Sequence, residues 1–333
     1  MRESDRGKIL TRGSALAGLF AASGASALAA SIAAPQPAAP LREYTAMKGN
    51  VKLALYRKSR PTTGHKPALV LVHGSSAGGL TTYDLQVPGK AYSMMDAFED
   101  TFDVWTLDHE GYGKSSRTNG NADIASGVAD LAAATRVIMR ETGADRVHLC
   151  GESAGALRAG AFAMAYPERV DRLVLNAFVW TGKGGATLSK RAQQADEYRT
   201  HNRRPVSREF FASIFTRDKA GTSDPSVATA FADSALLYGD SVPTGTYLDM
   251  VTKLPIVDPA RINAPTLVIR GEFDGIATEE DVLGFFSRLP NADRQFVLVP
   301  GAAHSAGFSY NRERFWFAVR SFLSAPLRLD RGI

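Results

Sequence analysis

The chain has 333 residues, of which 44% are hydrophobic and 22% charged, and its formal net charge is +5. This ordinary globular composition is compatible with one large α/β domain that carries an insertion, or with two domains. The basic residues form no continuous run, which argues against a nucleic-acid partner. Cys150 is the single cysteine, so no disulfide within the chain is possible.

Residues 1–40 have the composition of an export signal followed by a Pro-containing linker. A basic start precedes an apolar run at residues 15–22, and Ala-Leu-Ala at residues 27–29 fits a signal-peptidase site. The sequence around Arg12 resembles a twin-arginine signal with one arginine lost, so the Sec and twin-arginine routes both stay open. The apolar run is too short to span a bilayer. We therefore expect an exported protein, periplasmic or secreted, with no stable membrane anchor; the alternative is a disordered Ala-rich tail.

Beyond residue 40, apolar segments alternate with helical patterns. Alternating polar and apolar side chains at 42–47 and 51–57 predict a β-hairpin. Nearly all-apolar segments predict buried strands, and apolar side chains spaced three or four apart predict helices. The strands are expected at residues 67–74, 102–107, 147–150, 172–180, 265–270 and 294–300, and the helices before Phe98 and at residues 122–141, 156–164, 279–287 and 312–323. This alternation implies a mostly parallel, doubly wound sheet covered on both faces.

Residues 181–263 interrupt this alternation. They contain no convincing buried strand, but residues 207–215 and 227–238 have helical character. We expect this segment to be a helical cap over the catalytic edge of a core formed by residues 41–180 and 264–333, since long excursions in compact domains are usually functional. A surface excursion without a function is the alternative.

The first half of this segment carries many more basic than acidic residues. A solvated basic face explains such a bias, and substrate recognition is the other explanation. In the second case Arg203 or Arg204 would meet an anionic group on the substrate, because guanidinium groups pair well with carboxylates.

The sequence Gly-Glu-Ser-Ala-Gly at residues 151–155 lies between a predicted strand and a predicted helix. A serine on so sharp a turn, at positive φ, requires neighbours without bulk, and Gly151 and Gly155 meet that requirement. The turn exposes the Ser153 hydroxyl at a helix N-terminus, where free N–H groups favour developing negative charge. This context favours a nucleophilic serine over a glycine-flanked serine in an ordinary turn.

Together with this turn, four further motifs resemble those of the α/β-hydrolase superfamily, each at the end of a predicted strand. They are His-Gly-Ser-Ser at residues 73–76, Asp-x-x-Gly-x-Gly-x-Ser at 108–115, Gly-Glu-Phe-Asp at 271–274 and Gly-Ala-Ala-His at 301–304. The resemblance covers residues 42–325 and implies an α/β-hydrolase sheet with a helical cap insertion. The order Ser, Asp, His along the chain is the order of that fold.

The resemblance assigns Ser153 as the nucleophile, His304 as the base and Asp274 as the acid that orients the imidazole. Alone, Asp274 would be interpreted as a turn residue and His304 as a loop histidine. Their positions at strand ends favour the catalytic interpretation. Glu272, two residues earlier, is a rival acid whose position in the motif is less suitable.

The resemblance also assigns the oxyanion hole to the backbone N–H groups of Ser75 and Ala154, with Ser76 as the nearby alternative. His73 and His109 are expected to orient this loop rather than to take part in chemistry. The sequence contains no metal-ligand cluster and no dinucleotide fingerprint, so we expect neither a metal nor a cofactor.

These residues predict a serine hydrolase that cleaves an ester, thioester or lactone of a small molecule through an acyl-enzyme. Cleavage of a carbon–carbon bond in a diketone-like substrate, or of an amide, uses the same triad and is the alternative. Carbon–carbon hydrolases, as a family, usually carry Gly-Asn-Ser-Met-Gly at this turn, and Glu152 and Ala154 depart from it. A binding protein on a retired hydrolase scaffold is a third interpretation, which the complete triad disfavours.

Overall fold

The computed structural model describes residues 38–325, so the predicted signal and its cleavage site lie outside the described residues. The strands are β1 (Arg42–Lys48), β2 (Val51–Lys58), β3 (Ala68–Val72), β4 (Asp103–Leu107), β5 (Val147–Glu152), β6 (Val170–Asn176), β7 (Arg203–Pro205), β8 (Ser241–Pro243), β9 (Thr266–Gly271) and β10 (Arg294–Val299). The helices are α1 (Gly79–Tyr83), α2 (Met94–Phe98), α3 (Ile124–Thr142), α4 (Ala154–Ala165), α5 (Ala186–Ala192), α6 (Ala195–Thr200), α7 (Arg208–Ile214), α8 (Pro225–Leu236), α9 (Gly245–Thr252), α10 (Glu279–Phe286) and α11 (Arg312–Ser324). No helix within the described residues is both long and apolar enough to cross a membrane.

Eight of these strands form one sheet, in the order β1-β2-β4-β3-β5-β6-β9-β10. The strands β1 and β2 form the predicted antiparallel hairpin, and β2 is also antiparallel to β4. All the other neighbours in this sheet are parallel. The predicted α/β fold with a mostly parallel sheet is therefore confirmed, and each predicted core strand is present.

Hydrophobic clusters cover both faces of the sheet. Every residue of β3 is buried: Leu69 and Leu71 join one cluster, whereas Val70 and Val72 join the other. Successive side chains of a strand point to opposite faces, so this division shows that β3 is buried on both sides. An apolar run without polar interruption is the sequence that such a strand requires.

Residues 181–263, called the insertion from here on, lie between β6 and β9 and contain α5 to α9. The two stretches with predicted helical character are α7 and α8. The insertion also contains the antiparallel pair β7 and β8, which the sequence did not predict, because each strand has only three residues and no apolar run. A third hydrophobic cluster packs Phe211 and Phe231 of the insertion with Tyr112 and Phe308, which lie outside it.

Candidate active site

Ser153 lies on the sharp turn between β5 and α4, with φ of 57°. This left-handed backbone is rare for a residue with a side chain, and such strain occurs mostly at functional sites. A Cβ on Gly155 would lie 2.0 Å from the carbonyl oxygen of Val72, and a Cβ on Gly151 would lie 2.4 Å from that of Gly155. Both glycines are therefore required sterically, as the sequence predicted, and Gly155 is the one that lets β3 lie close to the turn.

His304 and Asp274 meet at the ends of neighbouring strands β10 and β9. The imidazole Nδ1 lies 3.0 Å from Asp274 Oδ1, and both side chains are buried. The same carboxylate oxygen accepts a hydrogen bond of 2.9 Å from the backbone N–H of Ile276. Burial by itself raises the pKa of Asp274, but the contact with His304 and this hydrogen bond lower it below its usual value. Asp274 is thus held ionised beside Nδ1, which leaves Nε2 as the basic nitrogen.

Glu272, the rival acid, points elsewhere. Its Oε2 accepts a hydrogen bond of 2.8 Å from the backbone N–H of Gly301 at the exposed surface. The geometry therefore supports Asp274 as the partner of His304.

Ser153 and His304 line the same cavity. Within the described residues no hydrogen bond joins the Ser153 hydroxyl to the imidazole, although both border the same space. Catalytic hydrogen bonds are often long without substrate and shorten in the reacting complex. The structure thus brings the three residues of the predicted triad to a single site.

The loop after β3 passes directly beside the nucleophile. A Cβ on Gly74 would lie 3.2 Å from the carbonyl oxygen of Glu152, closer than most real Cβ contacts, and 3.4 Å from Ser153 Cβ, an ordinary contact distance. The backbone N–H groups of Ser75 and Ala154 donate no hydrogen bond to any residue within 38–325. Free N–H donors on both sides of a nucleophile are what an oxyanion hole requires.

The two histidines near this loop support its conformation. His73 has its Nδ1 2.8 Å from the carbonyl oxygen of Gly74, and its Nε2 accepts a bond of 3.0 Å from the backbone N–H of His109. His109 Nδ1 lies 3.1 Å from the carboxylate of Asp130. Burial, with nearby positive charge, places the pKa of both imidazoles well below the usual value, so they stay neutral. They orient the loop, as expected from the sequence.

Cationic side chains from the insertion form one wall of the cavity. Arg191 and Arg217 both line it, together with Tyr247. Arg217 lies 3.3 Å from the carboxylate of its neighbour Asp218. The guanidinium of Arg191 forms no hydrogen bond or ion pair with a described residue and lies 4.0 Å from the centre of the Tyr247 ring. The sequence indicated a basic segment but not which of its arginines face the nucleophile.

The two arginines singled out in the sequence have other contacts. Arg203 donates to Ser241 and to the carbonyl oxygen of Gly111, so its guanidinium is already occupied. Arg204 is buried and donates a bond of 3.1 Å to the carbonyl oxygen of Ser75, beside the candidate oxyanion hole. The expectation that one of them binds substrate charge therefore moves to Arg191 and Arg217.

Glu152, which precedes the nucleophile, also borders the cavity. Its carboxyl forms no hydrogen bond or ion pair with a residue in the described part of the chain. Burial raises its pKa from 4.5 to about 7. The charge of His304 opposes this rise, and the charge of Asp274 adds to it.

No group of three or more His, Cys, Asp or Glu side chains suited to a metal ion occurs within residues 38–325.

The fold and this arrangement define a class of protein, and comparison with known families agrees. The family model described as "alpha/beta hydrolase fold" matches residues 67–309. The chain therefore belongs to the α/β-hydrolase fold family.

Among curated relatives, a 2-hydroxy-6-oxononadienedioate/2-hydroxy-6-oxononatrienedioate hydrolase of Burkholderia vietnamiensis is 28% identical over 249 residues, which cover 69% of this chain and 78% of that enzyme. The enzyme of the same name from Paraburkholderia phymatum is 34% identical over 146 residues, 41% of this chain. That alignment spans 44% of the Paraburkholderia enzyme, less than half of its length.

Solved structures share the fold at lower identity. An E-2-(acetamidomethylene)succinate hydrolase has a TM-score of 0.64 at 17% identity, covering 86% of this chain and 100% of that one. An esterase from Thermogutta terrifontis has a TM-score of 0.64 at 23% identity, covering 85% of this chain and 98% of that one. These similarities extend the fold assignment and carry no assignment of substrate.

Proposed function

We propose that this chain is a serine hydrolase that cleaves a carbon–carbon bond beside a ketone in a small anionic substrate. The observation that carries the proposal is the pair of guanidinium groups, from Arg191 and Arg217, on the cavity that holds Ser153. The curated relatives are named for dioate substrates, which carry two carboxylates. A cavity that presents the guanidinium of Arg191, with Arg217 and its partner Asp218 beside it, suits a substrate with an anionic group.

In this mechanism Ser153 attacks the ketone carbon while His304 accepts the hydroxyl proton, and Asp274 stabilises the resulting imidazolium. The tetrahedral oxyanion accepts hydrogen bonds from the backbone N–H groups of Ser75 and Ala154. As it collapses, the carbon–carbon bond breaks, its electron pair passes into a conjugated enolate, and His304 returns the proton to carbon. Water then hydrolyses the acyl-enzyme, so the net reaction adds one water and yields an acid and a protonated leaving group.

Ester hydrolysis is the second candidate, and one observation favours it. Glu152 and Ala154 replace the Asn and Met that carbon–carbon hydrolases usually carry on either side of the nucleophile. The same triad and oxyanion hole perform both reactions, and only the leaving atom differs, oxygen in an ester and carbon in a diketone.

The test measures turnover of four substrates by the purified protein. They are 2-hydroxy-6-oxononadienedioate, its neutral diester, and a matched pair of aryl esters with and without a carboxylate in the acyl part. We expect cleavage of the dienedioate, followed by loss of dienol absorbance and by mass spectrometry of both products, and no turnover by Ser153→Ala. Rapid hydrolysis of the aryl esters at their ester bonds without cleavage of the dienedioate would reject the carbon–carbon proposal in favour of the ester candidate.

A further inference from the structure

The loop that carries the candidate oxyanion hole is held from two sides. On one side, the hydroxyl of Tyr112 donates a bond of 3.2 Å to the carbonyl oxygen of Ser75. On the other side, Nη2 of Arg204, in β7 of the insertion, donates a bond of 3.1 Å to the same oxygen. The second donor comes from a part of the chain that contributes neither nucleophile nor base.

A second side chain of the insertion, Tyr247 in α9, lies beside Arg204. Tyr247 lines the cavity together with Ser76, the next residue of this loop. The guanidinium of Arg204 lies 4.1 Å from the centre of the Tyr247 ring and 4.7 Å from that of Phe210, so Arg204 and Tyr247 support each other by cation–π contact. The guanidinium that bonds Ser75 is thus itself held by the ring of Tyr247.

The burial of Arg204 has an energetic cost that its contacts offset only in part. The side chain is buried, its Nε has no hydrogen-bond partner within the described residues, and no described carboxylate forms an ion pair with it. A buried cation without a counter-ion destabilises the fold. Beside an oxyanion hole, however, the same positive charge stabilises the negative charge that develops in the transition state.

We propose that Arg204 is a positioning residue that fixes Ser75, and that Tyr247 supports it by holding its guanidinium, so that the oxyanion hole is complete only when the insertion is in place. Neither residue exchanges a proton or forms a bond with the substrate. Their effect is to hold the Ser75 N–H where the oxyanion forms and to add positive potential there. The inference concerns the oxyanion hole, and it holds whether the bond cleaved is carbon–carbon or ester.

The two side chains give this proposal a kinetic signature. A misplacement on the order of 1 Å in a catalytic group can lower a rate about 10²-fold, and loss of a whole oxyanion donor lowers kcat about 10²- to 10³-fold. Arg204→Met keeps the length of the side chain and removes the donor and the charge. Tyr247→Leu removes the ring that packs on Arg204 and keeps the donor and the charge of Arg204.

The experiment measures kcat and KM on a neutral aryl ester, and the rate of phosphonylation by a fluorophosphonate probe, which also passes through an anionic centre at this hole. We expect Arg204→Met to lower kcat and the labelling rate together by about 10- to 100-fold with KM within about twofold. Tyr247→Leu should lower both several-fold, and Arg204→Lys should recover part of the loss. The control is Arg203→Gln, whose guanidinium in the same strand bonds Ser241 and Gly111 instead, and it should leave both rates unchanged.

Unchanged kcat and labelling in both variants would overturn the proposal, as would a rise in KM alone, which indicates a role in binding the ground state. If Arg204→Met does not fold, Tyr247→Leu decides the matter on its own, with thermal unfolding as the check on its structure. The probe and the neutral ester do not depend on substrate charge or on a ketone. A wild-type protein that reacts with the probe but not with the dienedioate therefore removes the proposed function and leaves this inference standing.

Discussion

The carboxyl of Glu152 gives a prediction that needs no substrate. Burial raises its pKa from 4.5 to about 7 in the folded protein. The folded protein therefore holds this proton more tightly than the unfolded chain does. Stability from this group is fully present below about pH 4.5 and is lost as the pH rises through about 7. Replacement by glutamine keeps the shape of the neutral acid and removes the titration.

The magnitude follows from the two pKa values. At about 1.36 kcal/mol for each pKa unit, the gap between 4.5 and about 7 corresponds to roughly 3 kcal/mol in total. Between about pH 5 and about pH 8 the loss is roughly 2 kcal/mol, because part of it occurs below this range and the cavity side of Glu152 meets solvent. We therefore expect the free energy of unfolding of Glu152→Gln, relative to that of the wild type, to rise by roughly 2 kcal/mol between about pH 5 and about pH 8.

Urea unfolding of both proteins at the two pH values measures this difference. Every other carboxylate is common to the two proteins, so the change in their free-energy difference isolates Glu152. A difference that is the same at both pH values would show that Glu152 is ionised in the folded protein throughout, and would refute the argument from burial.

Three further predictions concern the triad, the cationic wall and the N-terminus. Asp274→Asn should keep the fold and lower kcat by about 10⁴, the magnitude known for the serine-protease triad, which is the reference case. Glu272→Gln should lower kcat far less, and the opposite ranking in steady-state assays would make Glu272 the acid. Arg191→Gln should raise KM for acidic substrates by about tenfold or more and leave KM for neutral esters nearly unchanged, since a charge-assisted hydrogen bond contributes about 1.5–3 kcal/mol. Equal effects on both substrate classes would contradict a role in binding substrate charge. Arg203→Gln is the matched control. We also propose that the signal is removed during export. The intact mass of protein from the periplasm or medium should then place the first residue near Ala30. Recovery of an uncleaved chain from the cytoplasm would contradict an export signal.

The sequence predicted the features that local chemistry determines. Gly151, Ser153 and Gly155 stand in five consecutive residues, so the strained turn follows from their order alone, and the positive φ of Ser153 was predicted for that reason. The core strands were also predicted, because an uninterrupted apolar run of about five residues is typical of a strand buried on both faces of a parallel sheet. The pairing of His304 with Asp274 rather than Glu272 followed from the position of each residue in its motif.

Features that depend on contacts between distant segments were not predicted. The strands β7 and β8 pair across 35 intervening residues and carry no apolar alternation, so no local signal marks them. Among the basic residues of the insertion, only its folded path shows that Arg191 faces the nucleophile and that Arg203 does not. Alternation of charge along short, broken helices carries no information about which face turns inward.

The central claim is that Ser153, on its strained turn, is the nucleophile of a hydrolase. Reaction of the full chain with a fluorophosphonate probe, followed by intact mass and peptide mapping, tests this claim most directly. We predict one adduct per chain, located on Ser153, and none in Ser153→Ala. An adduct on a different serine, or an unreactive wild type with a folded core, would contradict the account.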